Sequence, residues 1–271
     1  MLNIVTQIGG YDLEFTETVQ DIVFFHTSCA RNAFTMVKDL ARNNTGFAIA
    51  SPDLDASSRS AYNGHLCSTV QLHRAIGDVD ETSIRHILQK RKSVRNFRAE
   101  RARLEEVSAI LELALFRSKT DQQHTLGCAY PSAGGLYPVM CIILFCNTAE
   151  VTGKMGVYDP YQHRLTRVAS FDTRMLADSL VLDESKLNLF SFFVVQVADL
   201  TRTLRKYGRR SYRFCLLEAG HQSQCLQMAA VEQGFGTCLY GGYEESKLRR
   251  TSGVSGREML LMNVIGFGLP V

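Results

Sequence analysis

"SYRFCLLEAGHQSQCLQMAAVEQ", residues 211–233, puts apolar side chains on two faces of one helix. Tyr212, Cys215, Leu216, Ala219, Leu226 and Ala230 share one face; Phe214, Leu217, Cys225 and Met228 share another. The pattern predicts a central helix buried on most sides and closed by Gly234, a residue suited to the left-handed turn after a helix. Apolar runs flank it. "VMCIILFC" (139–146), "LNLFSFFVVQVADL" (187–200) and "EMLLMNVIGFGLP" (258–270) read as buried strands. Strands interleaved with helices around one central helix make an α+β chain.

Working upstream, "GKMGVYDPYQHRLTRV" (153–168) predicts a hairpin turning at Asp159-Pro160. "DTRMLADSLVLD" (172–183) reads as a helix, as does "RARLEEVSAILELALFRS" (101–118) with Leu104, Val107, Ile110, Leu111 and Ala114 on its apolar stripe. Another helix is expected after a Thr82 or Ser83 cap, with Ile84, Ile87 and Leu88 on one face. Before it the pattern weakens. "ETVQDIVFFHTS" (17–28) and "NAFTMVKDLARNN" (32–44) have helical spacing, and "SPDLDASSRSAYNGH" (51–65) is rich in turn residues. Residues 1–80 read as an N-terminal extension suited to partner or peptide contact, and 81–271 as the main domain.

The chain has 271 residues, 45% of them apolar and 21% charged, with a net charge of +3. That charge is too small to point to nucleic acid, and no apolar run is long enough to cross a bilayer. The N-terminus has no signal-peptide pattern. Eight cysteines are scattered without a CxxC pair, so no metal site is expected; Cys141, Cys146, Cys215 and Cys225 sit in apolar runs as small buried hydrophobes. A reducing cytoplasm is the expected compartment.

Five places carry candidate chemistry. "RKSVRNF" (91–97) offers Arg91, Lys92, Ser93 and Arg95, a set that can hold a phosphate or remain a solvated basic loop. In "YPSAGGLYP" (130–138), Gly134 and Gly135 allow close backbone approach to a ligand or simply a tight turn. The spacing is neither GxGxxG nor a P-loop. Six basic residues and no acid occupy 202–213, with Lys206 and Tyr207 at the centre. Cations beside a phenol favour its phenolate form, so the cluster could tune Tyr207 as a base or be a surface basic loop with a tyrosine packed by its ring. Two neighbours cooperate only where the backbone is irregular, and Gly208 provides for that. His221, Gln222 and Gln224 are polar groups within the long helix, His221 read as a core or interface residue and Gln224 as within reach of a ligand. Gly241-Gly242 could face a ring edge or form a turn.

The order of these pieces resembles the flavin-dependent nitroreductase superfamily over about residues 83–268. "RKSVRNF", "YPSAGGLYP" and "KYGRRSYRFCLLEAGH" together are similar to the azoline dehydrogenases, which mature thiazole- and oxazole-containing peptides such as microcin-type antibiotics and streptolysin-type toxins. The resemblance implies a nitroreductase-like fold, with a mixed or antiparallel sheet around a long central helix, in a homodimer. It also implies FMN. Arg91, Lys92, Ser93 and Arg95 would hold its phosphate and ribityl chain. The Pro131-Ser132 loop, with Gly134 and Gly135, would approach the ring from the second subunit, and Gly241, Gly242 and Gln224 would lie near it. The Lys-Tyr pair of those enzymes falls on Lys206 and Tyr207. It would take the proton that an azoline ring loses while the flavin takes a hydride. A precursor peptide and cyclodehydratase subunits are the implied partners. Nitroreductases often add a C-terminal cation for the phosphate, but no charge follows Glu258, so the 91–95 loop or the 202–213 cluster is expected to serve instead. An NAD(P)H-dependent nitro or quinone reductase and a non-catalytic scaffold subunit are the competing classes.

Overall fold

The computed structural model describes residues 19–27, 83–119 and 126–271. Its frame is a six-stranded antiparallel sheet, β5-β4-β3-β6-β8-β7, built from β3 (Val139–Phe145), β4 (Lys154–Asp159), β5 (Arg164–Ser170), β6 (Phe192–Asp199), β7 (Gly236–Tyr240) and β8 (Met259–Gly268). Two short strands, β1 (Ser118–Lys119) and β2 (Leu126–Gly127), pair apart from it. The three predicted buried strands are β3, β6 and β8, adjacent at the centre of the sheet. The predicted hairpin is β4–β5, with β4 ending at Asp159.

Seven helices follow the chain through the described part after residue 83: α1 (Ile84–Lys90), α2 (Leu104–Leu115), α3 (Thr173–Ser179), α4 (Glu184–Leu187), α5 (Thr201–Tyr207), α6 (Ser211–Glu232) and α7 (Glu245–Thr251). Alternation along the central strands sorts them into layers. Ile143, Phe145, Phe192 and Val194 face α2 and α6, meeting Val107, Ile110, Leu226 and Ala230. Ile142, Leu144, Phe193 and Val195 face the other way, towards Leu176 of α3, Leu187 of α4 and Leu248 of α7. The sheet is therefore covered on both sides, which is why its central strands read as unbroken apolar runs.

Helix α6 runs as predicted, but only one side of it is buried. Cys215, Ala219, Leu226 and Ala230 are enclosed, whereas Leu216, Leu217, Gly220, His221 and Gln224 are exposed. Two apolar faces point to burial on most sides; among the described residues the second face is covered only in part, with Phe214 on Tyr207 and Cys225 against the core while Leu217 stays exposed. A buried amide chain fixes α6 to the sheet. Gln196 of β6 donates from Nε2 to Gln222 Oε1 at 2.6 Å and to the Ala219 carbonyl at 3.1 Å, while Ser223 Oγ donates to Gln196 Oε1 at 2.8 Å. These bonds satisfy polar groups that would otherwise be costly inside the core.

Ser83 caps α1, its hydroxyl accepting from the His86 amide at 3.2 Å, yet Ile84 and Leu88 remain exposed and only Ile87 turns partly inward. Residues 19–27 form a helix, as their spacing predicts, and Ile22 packs with Leu200, Leu204 and Cys215. The expected helix at 32–44 and the turn-rich 51–65 stretch lie outside the described residues. No helix among the described residues is long and apolar enough to cross a membrane. Cys141, Cys146 and Cys215 are buried free thiols, and Cys225 is half-buried.

Candidate functional site

The basic cluster at 202–213 is not the start of one helix. It spans α5 from its first turn, a 3-10 turn at Gly208–Arg210, and the start of α6. Arg205 and Lys206 therefore lie at a helix C-terminus, where cations are favoured. The break between the helices is Gly208, at φ 51° and ψ −136°, and Tyr207 before it has already left helical geometry at φ −123° and ψ −4°. The irregular backbone lets two adjacent side chains converge. A Cβ built on Gly134 would lie 2.5 Å from Tyr207 Oη and 2.6 Å from Lys206 Nζ. Lys206 Nζ stands 5.3 Å from the Tyr207 ring centre, and Phe214 packs edge-on to that ring at 4.7 Å.

Gly134 has φ 63° inside the 3-10 turn Ala133–Gly135, a conformation that side chains resist. The loop is anchored from below by a buried acid. Ser132 Oγ donates to Glu218 Oε2 and accepts from the Tyr137 amide at 2.8 Å, and the Val139 amide donates to Glu218 Oε1 at 3.0 Å. Burial pushes the Glu218 carboxyl up, against the hydrogen bonds from Ser132 and Val139 that favour its charged form. Arg202 Nη1 holds the Tyr137 carbonyl at 2.9 Å. Glu218 is not among the residues that the sequence singles out, whereas Arg202 belongs to the basic cluster and Tyr137 to the 130–138 stretch. An acid in the middle of an apolar helix face was the available signal for Glu218.

The second group of predicted residues lies elsewhere. Ser93 forms a bridge with Thr237 of β7, and the Val94 amide donates to the Thr237 carbonyl at 2.8 Å. Gly236 is held so close to Val94 that a Cβ there would fall 2.8 Å from it. The 91–95 segment thus runs beside β7, and Arg95 acts electrostatically on Tyr240, the residue before Gly241-Gly242. Arg91 Nη1 reaches Gln227 of α6 at 3.4 Å. Among the described residues no carboxylate pairs with Arg91, Lys92 or Arg95, whereas nearby Arg98 and Arg103 pair with Glu100 and Glu106. Three unpaired cations and a hydroxyl on one segment suit a phosphate.

The structure brings Gly134 of the 131–135 loop to Lys206 and Tyr207, and it sets Ser93 beside Thr237, Arg91 beside Gln227 and Arg95 within electrostatic reach of Tyr240, next to Gly241-Gly242. It does not bring the two groups together within one chain. One lies at the start of α6 and the other beside Gln227, and positions 211 and 227 of a helix are about 24 Å apart. Gln224 lies exposed on α6 between them. The 202–213 cluster is consequently remote from the 91–95 loop of its own chain.

The family model for the nitroreductase family matches residues 88–268. The chain belongs to the nitroreductase family. A nitroreductase-like protein of Methanocaldococcus jannaschii is 28% identical over 190 residues, covering 69% of this chain and 92% of that protein. The microcin B17-processing protein McbC of Escherichia coli is 30% identical over 146 residues, 51% of this chain and about half (53%) of McbC. Among solved structures, a chain of the E. coli microcin synthetase McbBCD complex with truncated pro-MccB17 bound superposes with a TM-score of 0.67 at 23% identity, covering 99% of this chain and 97% of that one. A nitroreductase-family structure from Anabaena variabilis gives a TM-score of 0.56 at 22% identity, covering 68% of this chain and 37% of the other. The nitroreductase fold, with its sheet of six antiparallel strands, agrees with the architecture expected from the sequence.

Proposed function

We propose that this nitroreductase-family protein is an FMN-dependent dehydrogenase that oxidises thiazoline or oxazoline rings of a ribosomal precursor peptide to thiazoles or oxazoles. The convergence of Lys206 Nζ and Tyr207 Oη on Gly134 carries this reading. A ring that aromatises must give up a proton as well as a hydride, and this pair is positioned for proton transfer. The similarity to McbC supports the azoline type over simple nitroreduction.

FMN fits the unpaired cations of 91–95, and when bound it supplies the two-electron acceptor. In this reading Arg91, Lys92, Ser93 and Arg95 bind its phosphate and ribityl chain, and Gly241-Gly242 leave room at the ring. The Lys206–Tyr207 pair takes the substrate proton, and the Ser132–Glu218 contact fixes the loop that abuts it. The reading requires a homodimer, because the two residue groups sit at opposite ends of α6. Leu217 lies on the exposed face of α6. Two α6 helices packed antiparallel through their exposed faces would bring the start of one towards the far end of the other, completing two equal sites.

Cyclodehydratase subunits and the precursor peptide are the proposed partners, in keeping with the likeness to a chain of the microcin synthetase complex. Residues 1–80 are assigned to their recognition, and the cytoplasm to the reaction. The test is direct. Flavin-loaded protein incubated with a cyclised azoline peptide should remove about 2 Da per ring, one hydride and one proton. Consumption of NAD(P)H with a nitro or quinone compound, and no change in peptide mass, would instead place the protein with the reductases.

A further inference from the structure

Arg117 is buried at 8% exposure, and none of the described residues supplies it with a carboxylate partner. Its guanidinium lies between two phenol rings, 3.8 Å from the Tyr137 centre and 4.6 Å from the Tyr161 centre. Nη1 donates to the Tyr161 hydroxyl, while Nε, itself enclosed, has no acceptor. A buried cation with an unmet donor is costly, and ring contacts offset only part of that cost. Glu218 does not answer it. Glu218 interacts with Arg117 only through space and turns its two oxygens to Ser132 and Val139.

Arg117 lines a cavity of about 120 Å³ with Tyr137, Tyr161, Tyr130, Gln222 and Arg202. The cavity meets the surface at Tyr161 and Arg202, both exposed. Its polar atoms are mostly donors. The Tyr137 hydroxyl accepts from the Cys128 amide at 3.2 Å and the Tyr161 hydroxyl accepts from Arg117, so each keeps its own proton to give. Arg202 is balanced by Asp199 at 3.5 Å, which leaves Arg117 as the unmatched charge. Flat rings on two sides favour a planar anion, and the volume limits it to a few heavy atoms.

We propose that this cavity is a carboxylate-binding site in which the Arg117 guanidinium and the Tyr161 hydroxyl hold a small organic acid or an acidic side chain of a peptide. The inference stands apart from the redox reading, since it concerns binding alone. It has a consequence for the loop. Tyr137 is held at a strained φ of 46° and ends the segment that carries Gly134, so an anion stacked beside it would stiffen that segment.

The chain contains no tryptophan, so tyrosine emission reports on the cavity. Acetate titrated into the full-length protein at constant ionic strength should give a saturable change that chloride does not give. Arg117→Met should weaken acetate binding by about tenfold or more, the loss of a charge-assisted hydrogen bond. Tyr161→Phe, at an exposed position, should weaken it several-fold and decides the matter if Arg117→Met fails to fold. A blocked aspartate that competes with acetate would assign the site to a peptide side chain; failure to compete would assign it to a free small acid. The proposal is overturned if acetate acts no differently from chloride, if Tyr161→Phe binds like wild type, or if inorganic phosphate binds more tightly than acetate.

Discussion

Gly134 and Tyr207 approach so closely that a methyl group on Gly134 would sit 2.5 Å from the phenol oxygen. No side chain fits there without moving Tyr207 or Lys206. The positive φ of Gly134 adds backbone strain to any replacement. Gly134→Ala should therefore displace the pair while leaving the remote 91–95 segment untouched. Ring oxidation should fall by roughly 10²-fold, the usual cost of a small misplacement of catalytic groups, with flavin content close to wild type. Peptide mass and flavin absorbance read from the same sample check this; undiminished oxidation would show that the contact has no catalytic meaning.

Tyr207→Phe keeps the ring on Phe214 and removes only the hydroxyl, and Lys206→Ala removes only the ammonium. Each should retain FMN and lose about 10²–10⁴ in ring oxidation, the span for a lost general base. The double variant should be scarcely worse than the weaker single one, because groups acting as one unit do not add. Lys206→Arg should also fail, since a guanidinium keeps the charge but cannot act as a base. Additive losses in the double variant would separate the two residues into independent roles.

Much of the fold was legible because its central strands are buried on both faces and its central helix is long. β3, β6 and β8 stand out as apolar runs, and α6 ends where Gly234 predicts. The helix α5 was not legible. Arg205 and Lys206 read as the approach to α6, because only the positive φ at Gly208 divides the two helices. The bare face of α6 was misjudged for a related reason: a helix buried by its own chain and one left open on one side share the same two-faced pattern. Of the site, the residue types were readable but not their distribution, since sequence order does not show that 91–95 and 206–207 lie at opposite ends of α6. Arg117 gave no signal at all, because its partners are aromatic rings from distant segments.

Acid should loosen the helix at 19–27. His26 is buried, and that burial holds its pKa below the usual histidine value, with Glu245 pulling it up and Arg249 pushing it down. Nδ1 meets the Tyr212 hydroxyl at 3.1 Å, and Nε2 is 3.7 Å from Glu245. A depressed folded pKa means that the unfolded segment binds the proton more readily. The docked state therefore has its full stability above about pH 6.5, the ordinary histidine value, and loses it as pH falls through the folded value. Amide exchange in 19–27 should accelerate between pH 7.5 and pH 5 relative to the sheet, after correction for intrinsic rates. His26→Gln should abolish the pH step. Equal protection at both pH values would assign the docking instead to the ion pair of Asp21 with Arg209 at 2.8 Å.

The exposed stripe on α6 makes the shared site testable without a structure of the dimer. Leu217→Glu places a charge on the exposed face through which two antiparallel helices would pack, and both copies would carry it. The variant should sediment as a monomer at concentrations where wild type is dimeric, and it should lose most of its flavin although position 217 is far from Arg91. A sharper test mixes two inactive proteins. Tyr207→Phe lacks the proton acceptor, and the Arg91→Ala, Arg95→Ala double variant lacks the phosphate cations. If each site takes Tyr207 from one chain and Arg91 from the other, a mixed dimer regains one intact site and keeps one doubly damaged one. Random exchange makes half of the dimers mixed, so activity should return to roughly a quarter of wild type, as two-fold symmetry dictates. If each site lies within a single chain, no mixture can restore one, and the mixture would remain as inactive as its parts.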